Sequence, residues 1–447
     1  MENNFSYASR KSFIDGTKNS DYDVAVIGGG IVGAGIINLL SQIGIRAILL
    51  EKNDFAAGTS SGSSKLIHGG LRYLAQMHIK LTRDLLRERN FLLRYDFLVK
   101  PVNFRILVDD YSWNRFELSL GLFMYNVLGG HFKIPHMVKN HGEFDKSIRG
   151  YFDYLDAMTD DTTLVMHNIM SAVMKGGICI NHAEVVGLRD DKNVKELHVV
   201  DTIKNEPFSV RSKYIINAAG PWVNEVSLVL NLKKDEKFLL SRGTHIVIKQ
   251  FDKPITNAIV FRSHIDGRQM FVIPREEVII IGTTDVFVKS PEDTVAPEEE
   301  IDYIVKSVAR IYPSISRGSV LSTYWGIRPL YGAGSDPGKV SRDFKLAMIN
   351  NIIEILGGKI TDYGKVARKV AKIILKDMGK SASLRGKPEI LYKRDFSFDN
   401  YDMHIMKECA MTEEDLMRRA GIEIYHPWLR ETAKKEIKEA LARNHLS

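Results

Sequence analysis

The sequence is poor in cysteine: Cys179 and Cys409 are the only two, far apart and outside any CxxC or Cys/His pattern. This speaks against a disulfide framework or a structural zinc and points to a reducing, cytoplasmic compartment. Both thiols read as small buried residues. No stretch approaches the ~20 apolar residues of a membrane span. Residues 1–20 lack the apolar run of a signal peptide. Internal repeats and low-complexity tracts are missing as well.

What is present fits a globular protein. Hydrophobic residues make up 44% and charged residues 26% of the 447, an ordinary balance, over a length that suggests two or three domains. The net charge of +7 and pI near 9.0 admit nucleic acid, anionic lipid or an anionic substrate as partner. No RNA-binding module is evident, so nucleic acid is not expected.

The stretch "YDVAVIGGGIVGAGIINLLSQIGIRAILLEKND" carries the strongest signal. A short β-branched run reads as a buried parallel strand, and Gly28, Gly30 and Gly33 follow in GxGxxG spacing. Apolar helical spacing comes next, then a second buried strand ending at Glu51. The three glycines serve, in order, a tight turn, backbone approach to a pyrophosphate, and close helix–strand packing. The helix N-terminus offers N–H groups and partial positive charge to phosphates. Glu51 can accept both ribose hydroxyls and disfavours a 2′-phosphate. Strand, glycines, helix, strand and acid fall in order, which makes a chance GxGxxG a poor explanation. An NAD domain would continue with βαβ units. Here "DFAAGTSSGSSKLIHGGLRYL" follows, rich in small donors that suit an extended cofactor such as FAD.

These residues, with "LGLFMYN", "INAAGPWV", "RGTHIVI", "FVIP", "IIGTTDV", "WGIRPL", "SRDF" and "GGKITDYGKVA" in order, resemble the FAD-dependent glycerol-3-phosphate dehydrogenases. That family lies within the amino-acid-oxidase-like flavoproteins. The resemblance spans roughly residues 20 to 375. Bacterial relatives usually carry a longer C-terminal helical domain; here about seventy residues follow the last motif.

The resemblance implies an α/β fold: a Rossmann-like, glutathione-reductase-related FAD domain, an inserted α+β substrate domain with a mixed or antiparallel sheet, and a short helical tail. The expected bounds are 20–105, 150–222 and 325–380 for the FAD domain, 106–149 and 223–324 for the substrate domain, and 385–447 for the tail. It implies oxidation of sn-glycerol 3-phosphate to dihydroxyacetone phosphate, with hydride passing from C2 to flavin N5 and electrons going on to quinone or another acceptor. The rivals are an oxidase using O₂ and an amino-acid or amine oxidase of the same fold.

Cofactor contacts are expected from Gly28, Gly30, Gly33, Glu51, Thr59, Ser60, Ser64, Gly69, Gly70, Ala219, Gly220, Trp222, Gly358, Lys359, Ile360 and Thr361. Gly69 and Gly70 are expected to let the backbone pass the flavin ring, with Ser63, Ser64 and Lys65 along the pyrophosphate or its linker. A dianionic phosphate calls for fixed cations, and Arg forks suit it best. The candidates are Arg72, Arg328, Arg342 and Lys359, with Tyr73 as a hydrogen-bonding partner. His245 is the favoured base and His68 its rival. Asp285 ends an apolar strand, where a carboxylate is costly unless paired, and so is expected to meet Arg328 or the substrate hydroxyls. No metal is expected.

Two stretches bear on partners. "LSLGLFMYNVLGG" (118–130) reads as a core helix or an in-plane membrane contact, with core favoured. In "KVARKVAKIILKDMGK" (365–380), Lys365, Arg368, Lys369, Lys372, Lys376 and Lys380 share one helix face. That face reads either as a peripheral contact with anionic lipid on the inner face of the cell membrane or as the solvated side of a packed helix. A homo-oligomer is compatible with the sequence.

Overall fold

The computed structural model describes all residues except 1–4, 19, 110–113, 192–193, 294, 335–336, 338–339, 341–342, 382–385, 445 and 447. Among the described residues, two large sheets organise the chain. The first has eight strands. Its parallel core sets Asp21–Ile27 between Glu206–Asn217 and Ala47–Leu50, with Ile178–Ile180 beyond the latter and Ile352–Leu356 beyond the former. These strands are almost wholly apolar because helices cover the sheet. The glycine-loop helix Ile31–Gln42 is buried between the helices Asp161–Val173 and Tyr363–Asp377. Antiparallel strands Ala183–Asp191 and Val194–Asp201 extend the sheet through Glu206–Asn217.

The second sheet has ten strands. Phe238–Lys249 is its spine, pairing antiparallel with Val278–Gly282 and along nearly its whole length with Val320–Tyr331. One pair, Ala258–Arg262 with Val99–Val108, is parallel, so the sheet is mixed. The helix Glu298–Ala309 buries Ile301, Ile304 and Val308 in an apolar cluster with Ile246, Ile279 and Ile281.

Backbone pairing divides the chain at other places than the expected bounds. Val99–Val108, Gly150–Thr159 and Val320–Tyr331 all belong to the second sheet. The expected piece 150–222 is therefore shared: its opening strand lies in the second sheet, and its remaining strands lie in the first. Ladder partners come from distant segments, which apolar runs alone do not reveal.

The tail holds helices Tyr401–Glu408, Glu413–Arg419, Ile422–Tyr425 and Arg430–Arg443 around a small core that includes Leu416, Ile437 and Ala440. Thr412 caps the second of these, its Oγ1 accepting from Asp415 N at 3.2 Å. Cys179 and Cys409 are both buried and unbridged, and burial pushes both thiols up. No helix among the described residues is long and apolar enough to cross a membrane.

Candidate active site

The carboxyl ends of the parallel strands open onto a cleft. The loop after Asp21–Ile27 enters it with Gly28 and Gly30, while Gly33 sits behind, one turn into the helix. A β-carbon on Gly33 would lie 1.9 Å from Gly28 O, so the helix can approach the strand only with glycine there. Glu51 stands at the end of Ala47–Leu50. Its Oε2 accepts from Gly29 N at 2.6 Å and its Oε1 from Asn53 N at 2.8 Å. Burial pushes its carboxyl up, and the two backbone donors oppose that. Each oxygen keeps a further lone pair for a ribose hydroxyl. Ser60 Oγ accepts from Ile31 N at 2.9 Å, placing a hydroxyl at the helix N-terminus. Thr59, Ala219, Gly220 and Trp222 also line the cleft, as do Gly358, Lys359, Ile360 and Thr361. A ribose acceptor at one end, bare loop backbone in the middle and a helix N-terminus between them fit an extended dinucleotide such as FAD.

The cleft lining includes two of the cations expected for the phosphate, Arg328 and Lys359. Arg328 lines the cleft from the strand Val320–Tyr331. Its Nη1 donates to Asp285 Oδ1 at 3.1 Å and to Thr284 O at 3.2 Å, and its Nη2 to Thr283 Oγ1 at 2.8 Å. Asp285 is buried and accepts from Ser241 Oγ at 2.8 Å, with Arg268 Nη1 at 3.4 Å. It does not line the cleft, so it aims Arg328. Lys359 also lines the cleft, with its Nζ 5.6 Å from the Tyr73 ring centroid and 3.4 Å from Asp362 Oδ2. His68 and Tyr73 line the cleft beside it. Arg72 sits in the same short helix as Tyr73, half-buried and outside the cleft lining. Arg342 lies outside the described residues.

His245 is 1% exposed, and it does not line the cleft. Burial first, then the Arg328 and Lys65 cations, hold its imidazole well below the usual histidine range, so it is neutral at ordinary pH. Its Nε2 lies 2.8 Å from Ser64 Oγ, and its ring stacks on Tyr324 with centroids 4.7 Å apart.

The paired glycines differ from expectation. Neither Gly69 nor Gly70 lines the cleft. A β-carbon on Gly69 would meet Leu86 at 2.4 Å and the Tyr125 hydroxyl at 2.5 Å; one on Gly70, at φ 72°, would meet the Tyr73 ring at 2.2 Å. They make room for packed side chains behind the cleft. Lys65 also departs from its expected place along the cofactor. It is buried, paired with Asp161 and, at 3.7 Å, Asp160, with its Nζ also 5.7 Å from the ring centroids of Tyr324 and Tyr425. Sequence reasoning missed this network, together with Ser241 and Tyr324. A lysine in a serine-rich stretch gives no periodicity that marks burial, and its partners lie about a hundred residues away.

Similarity to known proteins agrees with this geometry. Residues 23–348 match the family described as FAD dependent oxidoreductase. An aerobic glycerol-3-phosphate dehydrogenase of Staphylococcus aureus is 33% identical over 394 residues, covering 83% of this chain and 70% of that protein. The glycerol-3-phosphate dehydrogenase of Bacillus halodurans complexed with FAD is similar in fold, with TM-score 0.77 at 23% identity over 99% of this chain and 95% of that one. An L-alpha-glycerophosphate oxidase of Mycoplasma pneumoniae with FAD bound has TM-score 0.66 at 18% identity over 79% and 95% of the two chains. This chain belongs to the FAD-dependent oxidoreductase family, among its glycerol-3-phosphate dehydrogenases.

Proposed function

We propose that the enzyme oxidises sn-glycerol 3-phosphate to dihydroxyacetone phosphate. The observation that carries this is the pair of cations in the cleft lining, Arg328 and Lys359, which share it with Tyr73 and His68. An amino-acid oxidase needs one clamp for a carboxylate. A phosphate dianion is better matched by a guanidinium fork and a separate ammonium. FAD, when bound, supplies the two-electron acceptor for the C2 hydrogen. The chain supplies the rest. Glu51, Gly28 and Gly30 bind the cofactor's ribose and phosphates, Arg328 and Lys359 hold the substrate phosphate, and Tyr73 adds a hydroxyl. Neutral His245, with His68 as its rival, accepts the hydroxyl proton. Anaerobic addition of glycerol 3-phosphate should bleach the flavin absorbance, and amino acids should not. Bleaching by amino acids alone would overturn this reading.

The electrons then pass to a quinone, in keeping with relatives named as dehydrogenases. Stoichiometric peroxide from glycerol 3-phosphate in air would instead make it an oxidase. For an anionic membrane surface, the helix Arg115–Leu128 is the better-supported contact. Leu118, Leu122 and Tyr125 face the core, while Phe116 is 76% and Leu120 50% exposed, with Phe132 at 81% and Ile134 at 70% just beyond. Arg115 and Lys133 stand exposed beside them. The basic helix Tyr363–Asp377 buries its apolar face, and Lys365 and Arg368 pair with Asp84 at 2.9 Å and Glu88 at 2.7 Å. Sedimentation with anionic vesicles tests the surface: Phe116→Ser with Phe132→Ser should abolish binding, and unchanged binding would exclude it.

A further inference from the structure

Ser64 and His245 belong together in a way that the roles above do not use. Ser64 lines the cleft and His245 does not. They meet through the 2.8 Å contact between Ser64 Oγ and His245 Nε2. The ring has little room to swing outward. It is stacked on Tyr324 at an interplanar angle of 9°, and Gly282, on the paired strand, leaves no space for a β-carbon beside its Cδ2. Tyr324 is itself tied by its hydroxyl to Ser63 O at 3.1 Å, and Ser63 donates to Asp161 through both its N–H and its hydroxyl. The residues on either side of Ser64, Ser63 and the buried Lys65, are therefore both anchored to Asp161. His245 Nδ1 has no hydrogen-bond partner among the described residues, which leaves Nε2 as the ring atom in contact with the cleft wall.

We infer that Ser64 is a proton relay, carrying the proton of the substrate's C2 hydroxyl from the cleft to His245. The substrate O–H bond breaks and a new Oγ–H bond forms on Ser64, while the old Oγ–H proton forms an Nε2–H bond on His245. The electron pair left on the substrate oxygen becomes the second bond of the carbonyl as the C2 hydrogen leaves with its two electrons for the FAD on which the family reaction depends. His245 ends as an imidazolium and returns its proton by the same path. The inference rests on the glycerol 3-phosphate reading.

The test compares wild-type, Ser64→Ala and Ser64→Thr holoenzymes, mixed anaerobically with glycerol 3-phosphate in H₂O–D₂O mixtures while flavin bleaching is followed. Two moving protons predict a curved dependence of the wild-type rate on deuterium fraction. Ser64→Ala should bleach roughly 100-fold more slowly, with substrate Kd within about threefold of wild type, and Ser64→Thr should recover to within about tenfold. Wild-type bleaching rates in Ser64→Ala, or a linear deuterium dependence in the wild type, would overturn the relay alone. A wild type that glycerol 3-phosphate does not bleach overturns the substrate reading and the relay with it. If Ser64→Ala loses FAD, ¹⁵N-histidine NMR of the wild-type holoenzyme decides. The relay requires Nε2 to be unprotonated at rest, and a proton found there overturns it.

Discussion

Arg328 is aimed before any substrate arrives. Asp285 and the Thr283–Thr284 segment hold its fork, and Asp285 is fixed in turn by Ser241. A lysine offers one point charge in place of a fork. Arg328→Lys is therefore expected to raise KM for glycerol 3-phosphate at least about tenfold, roughly 1.4 kcal/mol, with a smaller change in kcat. An unchanged KM removes Arg328 from the phosphate site. Gly243 supplies a sharper check, because a β-carbon there would lie 1.9 Å from Arg328 Nη2. Gly243→Ala should displace the guanidinium and raise KM in the same direction, with flavin retained; normal KM would show that Arg328 can be aimed another way. Arg328 and Lys359 were legible as candidates from their motifs. The partner that fixes Lys65 was not, since nothing near it in the chain announces a buried carboxylate.

At the scale of elements, the glycine loop and the pair at 69–70 illustrate two uses of a missing side chain. In the loop, Gly33 lets a helix approach a strand, a requirement that GxGxxG spacing announces. At Gly69 the demand comes from Leu86 and Tyr125, contributed by the helices Ile79–Leu92 and Arg115–Leu128. Gly69 N donates to the Tyr125 hydroxyl at 2.8 Å, and that hydroxyl donates to Asp156. Gly69→Ala should therefore destabilise the fold by about 1–3 kcal/mol through overpacking, read as a fall in Tm, while the flavin spectrum of the folded protein stays normal. Loss of flavin with unchanged Tm would return Gly69 to the cofactor.

The whole molecule is closed by its tail. Arg419 donates to buried Asp54, three residues past Glu51, at 2.9 Å through Nε. Tyr425 donates to Asp160 at 2.7 Å, and His182 meets Asp415 at 2.9 Å. The tail thus bonds to three separate segments of the main body, at Asp54, Asp160 and His182. Arg419→Ala leaves Asp54 buried without its main counter-charge and should cost about 3–5 kcal/mol, measured by denaturant unfolding; a loss under about 1 kcal/mol would show that the tail is a passive cap. A buried carboxylate inside the tail predicts a pH dependence. Burial works against ionisation of Glu408, but Arg394 and His404 hold its carboxyl below the usual range. The stabilisation is present above the unfolded glutamate pKa of about 4.3 and is lost as pH falls through the depressed value. Glu408→Gln should be less stable than wild type at neutral pH, with the gap narrowing in acid. A pH-independent gap would argue against this linkage.

The glycine spacing, the acid at the end of the second strand and the order of motifs determined the cofactor class and the family, because short-range geometry and local chemistry set them. The resemblance those motifs carry implied the α/β class and a mixed or antiparallel second sheet. The tertiary structure decided the rest. It moved strands 99–108 and 150–159 into the second sheet, put Gly69 and Gly70 behind the cleft, buried Lys65 and set His245 one hydroxyl away from the cleft. Each of these depends on which distant segments meet, and burial and pairing across hundreds of residues leave no local pattern in the chain.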